Sequence, residues 1–409
     1  MNEKKWHKFP VLFSLYIAQS VPMSFFSTVV PVIMRQEHYS LEAIGLMQLV
    51  KLPWILKFLW APLVDRNAAT SRQLKRWIFL SEIFYALVIV SISYFSLQVD
   101  FKLIVALMVV AFCASATQDI ATDNFAIRIL SVGERGPGNG LQSAGSFIGS
   151  LLGTGVLLIA YHYFGWQVLL WLLAAFVLLA LLPVGLYKQP VNPYPEIRRK
   201  VSFTDIFSFF RAKGMVKQVL VLLFYYSGII GILAMLKPWM VDLGYSVKEI
   251  GFMSGIVGTS VAASAALGAG FLLRTIGRRR AIFLFLSLSV MASLYFWLIS
   301  LGTPTKAMLY VGICWLWGAY GLSTVVIYTT SMDRVRSGSE GTDFTIQIVL
   351  THLSGLIMAI VSGKIADAFG YSGLFATEIF FGLTAAIFVL IAYGKKDSMP
   401  QPVDSQPLN

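Results

Sequence analysis

The nine residues YSLEAIGLM at positions 39–47 return as YSVKEIGFM at positions 245–253, with five of the nine identical. Each copy leads into a long apolar stretch. A second echo, Phe-Gly-Trp at 164–166 and Phe-Gly-Tyr at 369–371, lies 205 positions apart, in nearly the same register. A repeat of half the chain length in an apolar protein is typical of membrane transporters built from two related bundles. We therefore expect two related halves.

The composition excludes an ordinary soluble protein. The chain has 409 residues, is 57% hydrophobic and 13% charged, and has a mean hydropathy of +0.73. Soluble domains carry roughly 25% charged residues, so this chain would expose too much apolar surface to water. Cys113 and Cys314 both lie in apolar segments, which implies no disulfide framework. We expect no cofactor and no bound metal.

Twelve apolar segments are long enough to cross a bilayer, which takes about 20 residues. The sequence therefore predicts an all-α integral membrane protein with twelve transmembrane helices in two pseudo-symmetric six-helix bundles. The predicted spans are 9–34, 41–64, 77–97, 101–123, 139–163, 166–187, 217–241, 248–273, 279–300, 306–330, 342–367 and 371–393.

The longest connection between spans divides the chain. Its proline-rich stretch at 190–195 breaks helices. The predicted domains are an N-terminal bundle at 1–187, a cytoplasmic linker at 188–216, a C-terminal bundle at 217–394 and a cytoplasmic tail at 395–409.

Lysine and arginine predict the orientation of the chain. Of the 32 basic residues, 24 lie at the termini and in the even-numbered loops, and four lie in the odd-numbered loops. Basic loops remain in the cytoplasm, so both termini are expected there. The same distribution explains the net charge of +12, because basic loops lie beside anionic lipid headgroups. A nucleic-acid partner is not expected.

Charged residues inside the predicted spans are candidates for solute binding or proton coupling, because an unpaired charge there costs at least about 2.5–3.5 kcal/mol. Lys51 lies mid-span and could hold an anionic solute group or pair with a titrating carboxylate; a structural ion pair is the alternative. Asp119, Glu378 and His352 are the proton-coupling candidates. Asp119 could instead belong to a structural clamp with Asp123, and a neutral, hydrogen-bonded histidine is the alternative for His352.

Charged residues near the predicted cytoplasmic ends of the spans are gating candidates. They lie close to the interface, where they could form ion pairs or bond loop amides rather than touch the solute. This set comprises Lys57, Asp65, Arg66, Asp123, Arg128 and Arg274.

Uncharged polar and aromatic residues in the spans complete the predicted solute site. Polar groups and helix breakers in the first span of each half indicate flexible cavity walls. An ordinary packing role is the alternative for each aromatic residue. The set comprises Tyr16, Gln19, Trp54, Gln142, Tyr225, Tyr226 and Gln347.

The layout of the chain resembles the major facilitator superfamily. Residues 270–279 are similar to the loop signature Gly-x-x-x-Asp-x-x-Gly-Arg-Arg of that family, with Arg274 in place of the acidic residue. In the first half, Asp65 stands at the acidic position of this signature, and Ala61 stands at the position of its first glycine. The resemblance implies two six-span bundles that rock about a central site formed by spans of both halves.

Within the superfamily, the first half resembles the AmpG-like branch. The motifs are KFLWAPLVDR at 57–66, ATQDIATD at 116–123, Glu-Arg-Gly at 134–136 and FGWQ at 164–167. This branch includes muropeptide permeases, RhtX/FptX-type siderophore importers and acetyl-CoA transporters. The stretch GNGLQ at 138–142 is closer to the siderophore importers, and classical muropeptide permeases have two further spans.

The resemblance implies an alternating-access secondary transporter. We expect a proton-coupled importer of a bulky amphiphilic solute of the siderophore or muropeptide class, acting as a monomer in the lipid bilayer. An exporter of drugs or metabolites is the alternative, and a non-transporting membrane sensor is a more remote one. An enzyme is not expected, because the four histidines are scattered and form no catalytic constellation.

Overall fold

The computed structural model describes residues 8–36, 38–39, 47–188 and 201–394. Most of the first repeat copy, residues 189–200 of the linker and the whole C-terminal tail lie outside the described residues. Every regular element within these ranges is helical, as the sequence predicts.

The helices of the first sequence half follow the predicted apolar segments. Short π-helical or 3₁₀ turns join several of them, at Phe25–Val29, Met47–Lys51, Lys57–Leu59 and Leu152–Val156. The α-helices are α1 Lys8–Ser24, α2 Val30–Gln36, α3 Leu52–Leu56, α4 Ala61–Arg66, α5 Ser71–Ile92, α6 Phe101–Ile129, α7 Arg135–Leu151, α8 Leu157–Leu179 and α9 Leu182–Leu186.

The second half continues in the same way, with a π-helical stretch at Gly251–Gly258. The α-helices are α10 Thr204–Arg211, α11 Met215–Phe224, α12 Ser227–Asp242, α13 Val247–Ile250, α14 Thr259–Ile276, α15 Arg278–Ser300, α16 Lys306–Met332 and α17 Glu340–Tyr393. The second repeat copy contains the start of α13, where Ser246 and Glu249 bond each other's backbone amides in a capping box.

Eight helical stretches in the described part of the chain are long and apolar enough to span a membrane. Two of them, Val132–Leu186 and Glu340–Tyr393, contain 55 and 54 residues. Either is more than twice the length that one crossing needs. The protein is therefore an all-α, multi-pass membrane protein, while the count of twelve spans and their pseudo-symmetry stay predictions.

Two glycines interrupt these long stretches. Gly165 has φ 71° and ψ −179°, and Gly370 has φ 69° and ψ 178°, so neither is helical. This backbone conformation is essentially restricted to glycine, because a Cβ atom would clash with the neighbouring backbone. Both are the central glycines of the Phe-Gly-aromatic echo, and each lies between two predicted spans.

The chain divides into two compact units. Unit 1 comprises Met1–Ser131, Gly145–Ile206 and Arg336–Thr345, and unit 2 comprises Val132–Ala144, Phe207–Val335 and Ile346–Asn409. Each unit thus contains one short segment from the opposite sequence half. The predicted domain boundaries at the linker stay a prediction.

The core of unit 1 forms where α1, the π-helical turn Phe25–Val29, α2, α5, α6 and α8 bring together buried aromatic and aliphatic side chains, among them Phe25, Phe26 and Phe112. Close helix approach depends on Gly153, where an added Cβ would lie 2.3 Å from the carbonyl oxygen of Val21. Small residues allow such close packing in membranes, where lipid provides no hydrophobic driving force between helices.

Unit 2 uses the same device between α14 and α16. A Cβ at Gly321 would lie 2.4 Å from the carbonyl oxygen of Ala262. These close contacts fix the rotation of each helix about its own axis. They therefore also fix the directions in which its polar side chains point.

Candidate functional site

A buried ion pair lies at the centre of the candidate site in unit 1. Lys57, in the 3₁₀ turn between α3 and α4, has a side chain only 1% exposed, and its Nζ bonds the carboxylate of Asp119 on α6. The ammonium also lies 4.7 Å from the ring centroid of Trp54. Asp119 and the aromatic face both stabilise the buried cation. The sequence suggested Lys51 as a partner for a titrating carboxylate, whereas Asp119 pairs with Lys57.

The face of α6 that carries Asp119 also meets α1. Tyr16 donates a hydrogen bond of 2.8 Å from its hydroxyl to Oδ1 of Asp123, and Gln19 donates from Nε2 to Oε1 of Gln118. Asp119 and Asp123 therefore have different partners, although one helical turn separates them. Tyr16, Gln19, Trp54 and Asp119, predicted separately from the sequence, lie on three elements of one unit.

Two donors beside this pair have no partner among the described residues. Nε1 of Trp54 and Nε2 of Gln118 are buried and bond nothing in the described ranges. A buried donor without an acceptor costs roughly 1–3 kcal/mol. They are available to a solute that offers oxygen acceptors. Sequence reasoning missed Gln118, although it precedes Asp119 directly in the ATQDIATD motif.

A second group of predicted residues binds the start of α17, which also belongs to unit 1. Asp65 accepts hydrogen bonds from the amide of Gly341 at 3.2 Å, from the amide of Thr342 at 2.7 Å and from Nδ2 of Asn124 at 2.5 Å. Arg128 lies 3.8 Å from Glu340. Burial raises the pKa of the Asp65 carboxyl to about 6, although its hydrogen bonds with Thr342 act in the opposite direction.

Two predicted residues meet in unit 2. Tyr226 and His352 line a small cavity of about 210 Å³, together with Tyr320 and Tyr328. Hydroxyl and imidazole groups around one cavity can exchange hydrogen bonds with a solute or relay a proton.

The remaining unit 2 candidates are held by neighbouring helices. Tyr225 donates to the carbonyl of Ile282 at 2.9 Å. Gln347 accepts from Gln218 at 3.1 Å and donates to the carbonyl of Ser331 at 3.1 Å. Such bonds are what a purely structural role requires, so solute binding by Tyr225 and Gln347 stays a prediction. Gln142, on α7, is buried.

Glu378 is fully buried in unit 2. It accepts hydrogen bonds from the amide of Gly231 at 3.3 Å and from the hydroxyl of Ser362 at 3.0 Å. These donors can hold either the carboxylate or the protonated acid, so its proton-coupling role stays a prediction.

Three predicted residues form no ion pair with the other described residues. Arg66 and Arg274 are exposed and Lys51 is half-buried, and none forms an ion pair within the part of the chain that is described. Their predicted gating and binding roles stay predictions without a contact to support them.

Sequence reasoning also missed an acidic centre in unit 2. Asp333, at the end of α16, binds Arg135 at 2.9 Å and also binds Arg278. The signal was a single acid at a predicted cytoplasmic span end, directly followed by Arg334 and close in sequence to a second arginine, Arg336.

The family becomes clear from comparison with known proteins. The model of the Major Facilitator Superfamily matches residues 12–350. The chain belongs to the major facilitator superfamily. Its fold is similar to that of the human organic anion transporter MFSD10, with a TM-score of 0.74 at 13% identity over 95% of this chain and all of that one. The E. coli fucose:proton symporter FucP gives a TM-score of 0.72 at 13% identity, over 95% and 99% of the two chains.

Sequence relatives place this superfamily member near the AmpG proteins, which confirms the resemblance noted above. It is 24% identical to the anhydromuropeptide permease of Escherichia coli K12 over 392 residues, covering 93% of this chain and 79% of that protein. It is 23% identical to the putative transporter AmpG 4 of Rickettsia felis over 406 residues, covering 94% and 96% of the two chains. The protein is thus a transporter and not an enzyme.

Proposed function

We propose that this transporter imports a bulky amphiphilic solute of the muropeptide or siderophore class, by alternating access and with protons as the driving ion. The observation that carries the proposal is the buried Lys57–Asp119 pair, bordered by the unpartnered donors of Trp54 and Gln118. The similarity to an anhydromuropeptide permease supports the muropeptide class. The GNGLQ stretch at 138–142 supports the siderophore class.

The binding of the proton and the binding of the solute would be coupled through Lys57. A proton on Asp119 removes the negative charge of the pair and leaves a buried ammonium without a counter-ion. Breaking a buried ion pair in this way costs about 3–5 kcal/mol, so an anionic solute group is favoured at the same place. When the solute leaves, loss of the proton restores the pair. The donors of Trp54 and Gln118 would bind uncharged oxygens of the solute.

We also propose an inner-membrane location with both termini in the cytoplasm, and a monomeric carrier. The distribution of 24 basic residues in even loops and termini against four in odd loops supports this topology.

Uptake into proteoliposomes tests the function. Labelled anhydromuropeptide and a labelled ferric siderophore are offered separately, with and without an inward proton gradient. We expect gradient-dependent uptake of one solute class and its loss when a protonophore collapses the gradient. Uptake that is indifferent to the protonophore contradicts proton coupling, and net efflux from loaded vesicles contradicts import.

Variants of the two residues test whether transport depends on the ion pair. Lys57→Gln and Asp119→Asn should each abolish coupled uptake, because each leaves one partner without its counterpart. Lys102→Gln is the matched control, since Lys102 is exposed near the start of α6 and outside the pair. Equal uptake by Lys57→Gln and Lys102→Gln would remove Lys57 from the site.

A further inference from the structure

A cavity of about 900 Å³ lies in unit 2. It is bordered by the starts of α7 and α15 and by the ends of α16 and α17. This arginine cavity is lined by five arginines, namely Arg135, Arg278, Arg279, Arg280 and Arg334. Asp333 is the one acidic residue among the described residues that line it.

Asp333 cannot balance this charge. Its carboxylate is already shared by Arg135, at 2.9 Å from Oδ1, and by Arg278. Arg279 donates to the carbonyl oxygen of Gly394, which is a neutral acceptor. Arg280 is exposed and forms no hydrogen bond or ion pair within the described ranges. The cavity therefore keeps an excess of positive charge.

The start of α15 adds to the positive potential. This helix of 23 residues begins at Arg278 after Gly277, which provides no side-chain cap, and its first turn contains no acidic residue. The amide end of a helix is positive and normally attracts acids, yet three consecutive arginines follow Gly277 here. A bound anion would satisfy the free amides and the arginines together.

The other wall of the cavity is apolar, with Ile276, Phe283 and Leu390. The volume is larger than a phosphate ion requires and fits a headgroup with part of an acyl chain. In the proposed topology the arginines of the loop between spans eight and nine lie at the inner leaflet, where anionic lipids concentrate. We propose that the arginine cavity binds a phosphate-bearing anion, and that its source is the phosphodiester of an anionic membrane phospholipid.

The test is a thermal-unfolding titration of the purified, detergent-solubilised full chain. Three probes are used: dihexanoyl phosphatidylglycerol, dihexanoyl phosphatidylcholine and inorganic pyrophosphate. Stabilisation grows with the ratio of ligand concentration to Kd, so each titration gives an apparent affinity. We expect phosphatidylglycerol to stabilise the protein at lower concentration than the other two probes. Equal stabilisation by phosphatidylcholine overturns an anion site, and stronger binding of pyrophosphate overturns the lipid as the source.

Variants that each remove arginine charge show which arginines bind phosphatidylglycerol. The double variant Arg279→Gln/Arg280→Gln should weaken the apparent affinity for phosphatidylglycerol by about tenfold or more, because charge-assisted hydrogen bonds are lost. Arg280→Gln alone, which breaks no internal bond, should weaken it in the same direction even if the double variant folds poorly. Arg274→Gln removes the same charge nearby but outside the cavity lining, and it should leave the affinity unchanged. Equal losses in Arg274→Gln and Arg280→Gln, or no loss in Arg280→Gln, overturn the proposal.

Discussion

Asp65 accepts hydrogen bonds from both the backbone amide and the hydroxyl of Thr342, each at 2.7 Å, although 277 positions separate the two residues. Thr342 lies in the first turn of α17, whose amides have no partner within the helix. The carboxylate of Asp65 therefore serves as a helix cap supplied from the first sequence half. This bond helps to hold the segment Arg336–Thr345 in unit 1.

Gly341→Ala should disrupt this cap. An added Cβ would lie 2.6 Å from Oδ1 of Asp65 and would displace the carboxylate from the amides it binds. We expect a loss of about 1–3 kcal/mol in the free energy of unfolding, the cost of leaving buried polar groups without partners. Thermal unfolding in detergent measures the effect.

The matched control for this variant is Gly355→Ala in the same helix, where an added Cβ meets nothing within 4 Å. Alanine is the better helix former by up to about 1 kcal/mol, so this control should be neutral or slightly stabilising. Similar losses of unfolding free energy in both variants would mean that alanine destabilises α17 at either position. The cap by Asp65 would then not be the cause.

The pH dependence of stability should change in Asp65→Asn. Burial raises the pKa of Asp65 to about 6 in the folded protein, whereas an unfolded aspartate titrates near 3.9. Between these values the folded state binds more protons, so this group lowers wild-type stability as pH rises, by at most about 1.4 kcal/mol per pH unit. The amide does not titrate.

The stability of Asp65→Asn relative to the wild type should therefore increase between about pH 4 and 6 and level off above. Unfolding curves of both proteins at several pH values give this difference, in which the other titrating groups cancel. A relative stability that falls with rising pH would mean that the hydrogen bonds from Thr342 outweigh burial.

Gly231→Ala should act through Glu378. The added Cβ would lie 2.0 Å from Oε1 of Glu378 and 2.1 Å from the hydroxyl of Ser362, so the carboxyl must leave both donors. We expect a destabilisation of about 1–3 kcal/mol. In the Glu378→Ala background the clash with the carboxyl is absent and only the one with the Ser362 hydroxyl remains, so the same glycine substitution should cost less. An equal cost in both backgrounds would show that Glu378 is not the group displaced.

The predicted ends of the spans located two of the helix breaks. Apolar segments of spanning length can be read directly from composition, and the echo of Phe-Gly-aromatic placed Gly165 and Gly370 between spans. A glycine at the same place in two related segments indicates a backbone conformation that other residues avoid. Both glycines indeed have positive φ.

The partners within the site were harder to predict. The sequence identified Lys51, Lys57 and Asp119 as intramembrane charges, but it could not decide which lysine meets Asp119. Helical periodicity fails there, because the 3₁₀ turn at Lys57–Leu59 has about 3.0 residues per turn and changes the direction of the following side chains. Contacts such as Arg135 with Asp333, 198 positions apart, depend on tertiary packing that no local pattern records.

A double-mutant cycle on Lys57 and Asp119 should give a large coupling energy. Both side chains are buried, at 1% and 6% exposure, so Lys57→Ala or Asp119→Ala alone leaves a charge without its partner. Each single variant should lose about 3–5 kcal/mol, and the double variant should lose much less than the sum.

The exposed pair Lys306–Glu249 gives the matched control for this cycle, because its side chains are 50% and 39% exposed at a separation of 2.6 Å. Water screens such pairs, and its cycle should give at most about 1 kcal/mol. Free energies from reversible unfolding of all seven proteins in one detergent allow a direct comparison. Equal coupling energies in the two cycles would contradict a desolvated Lys57–Asp119 pair. They would also remove the link between protonation of Asp119 and solute binding, since that link requires a buried ammonium left without its counter-ion.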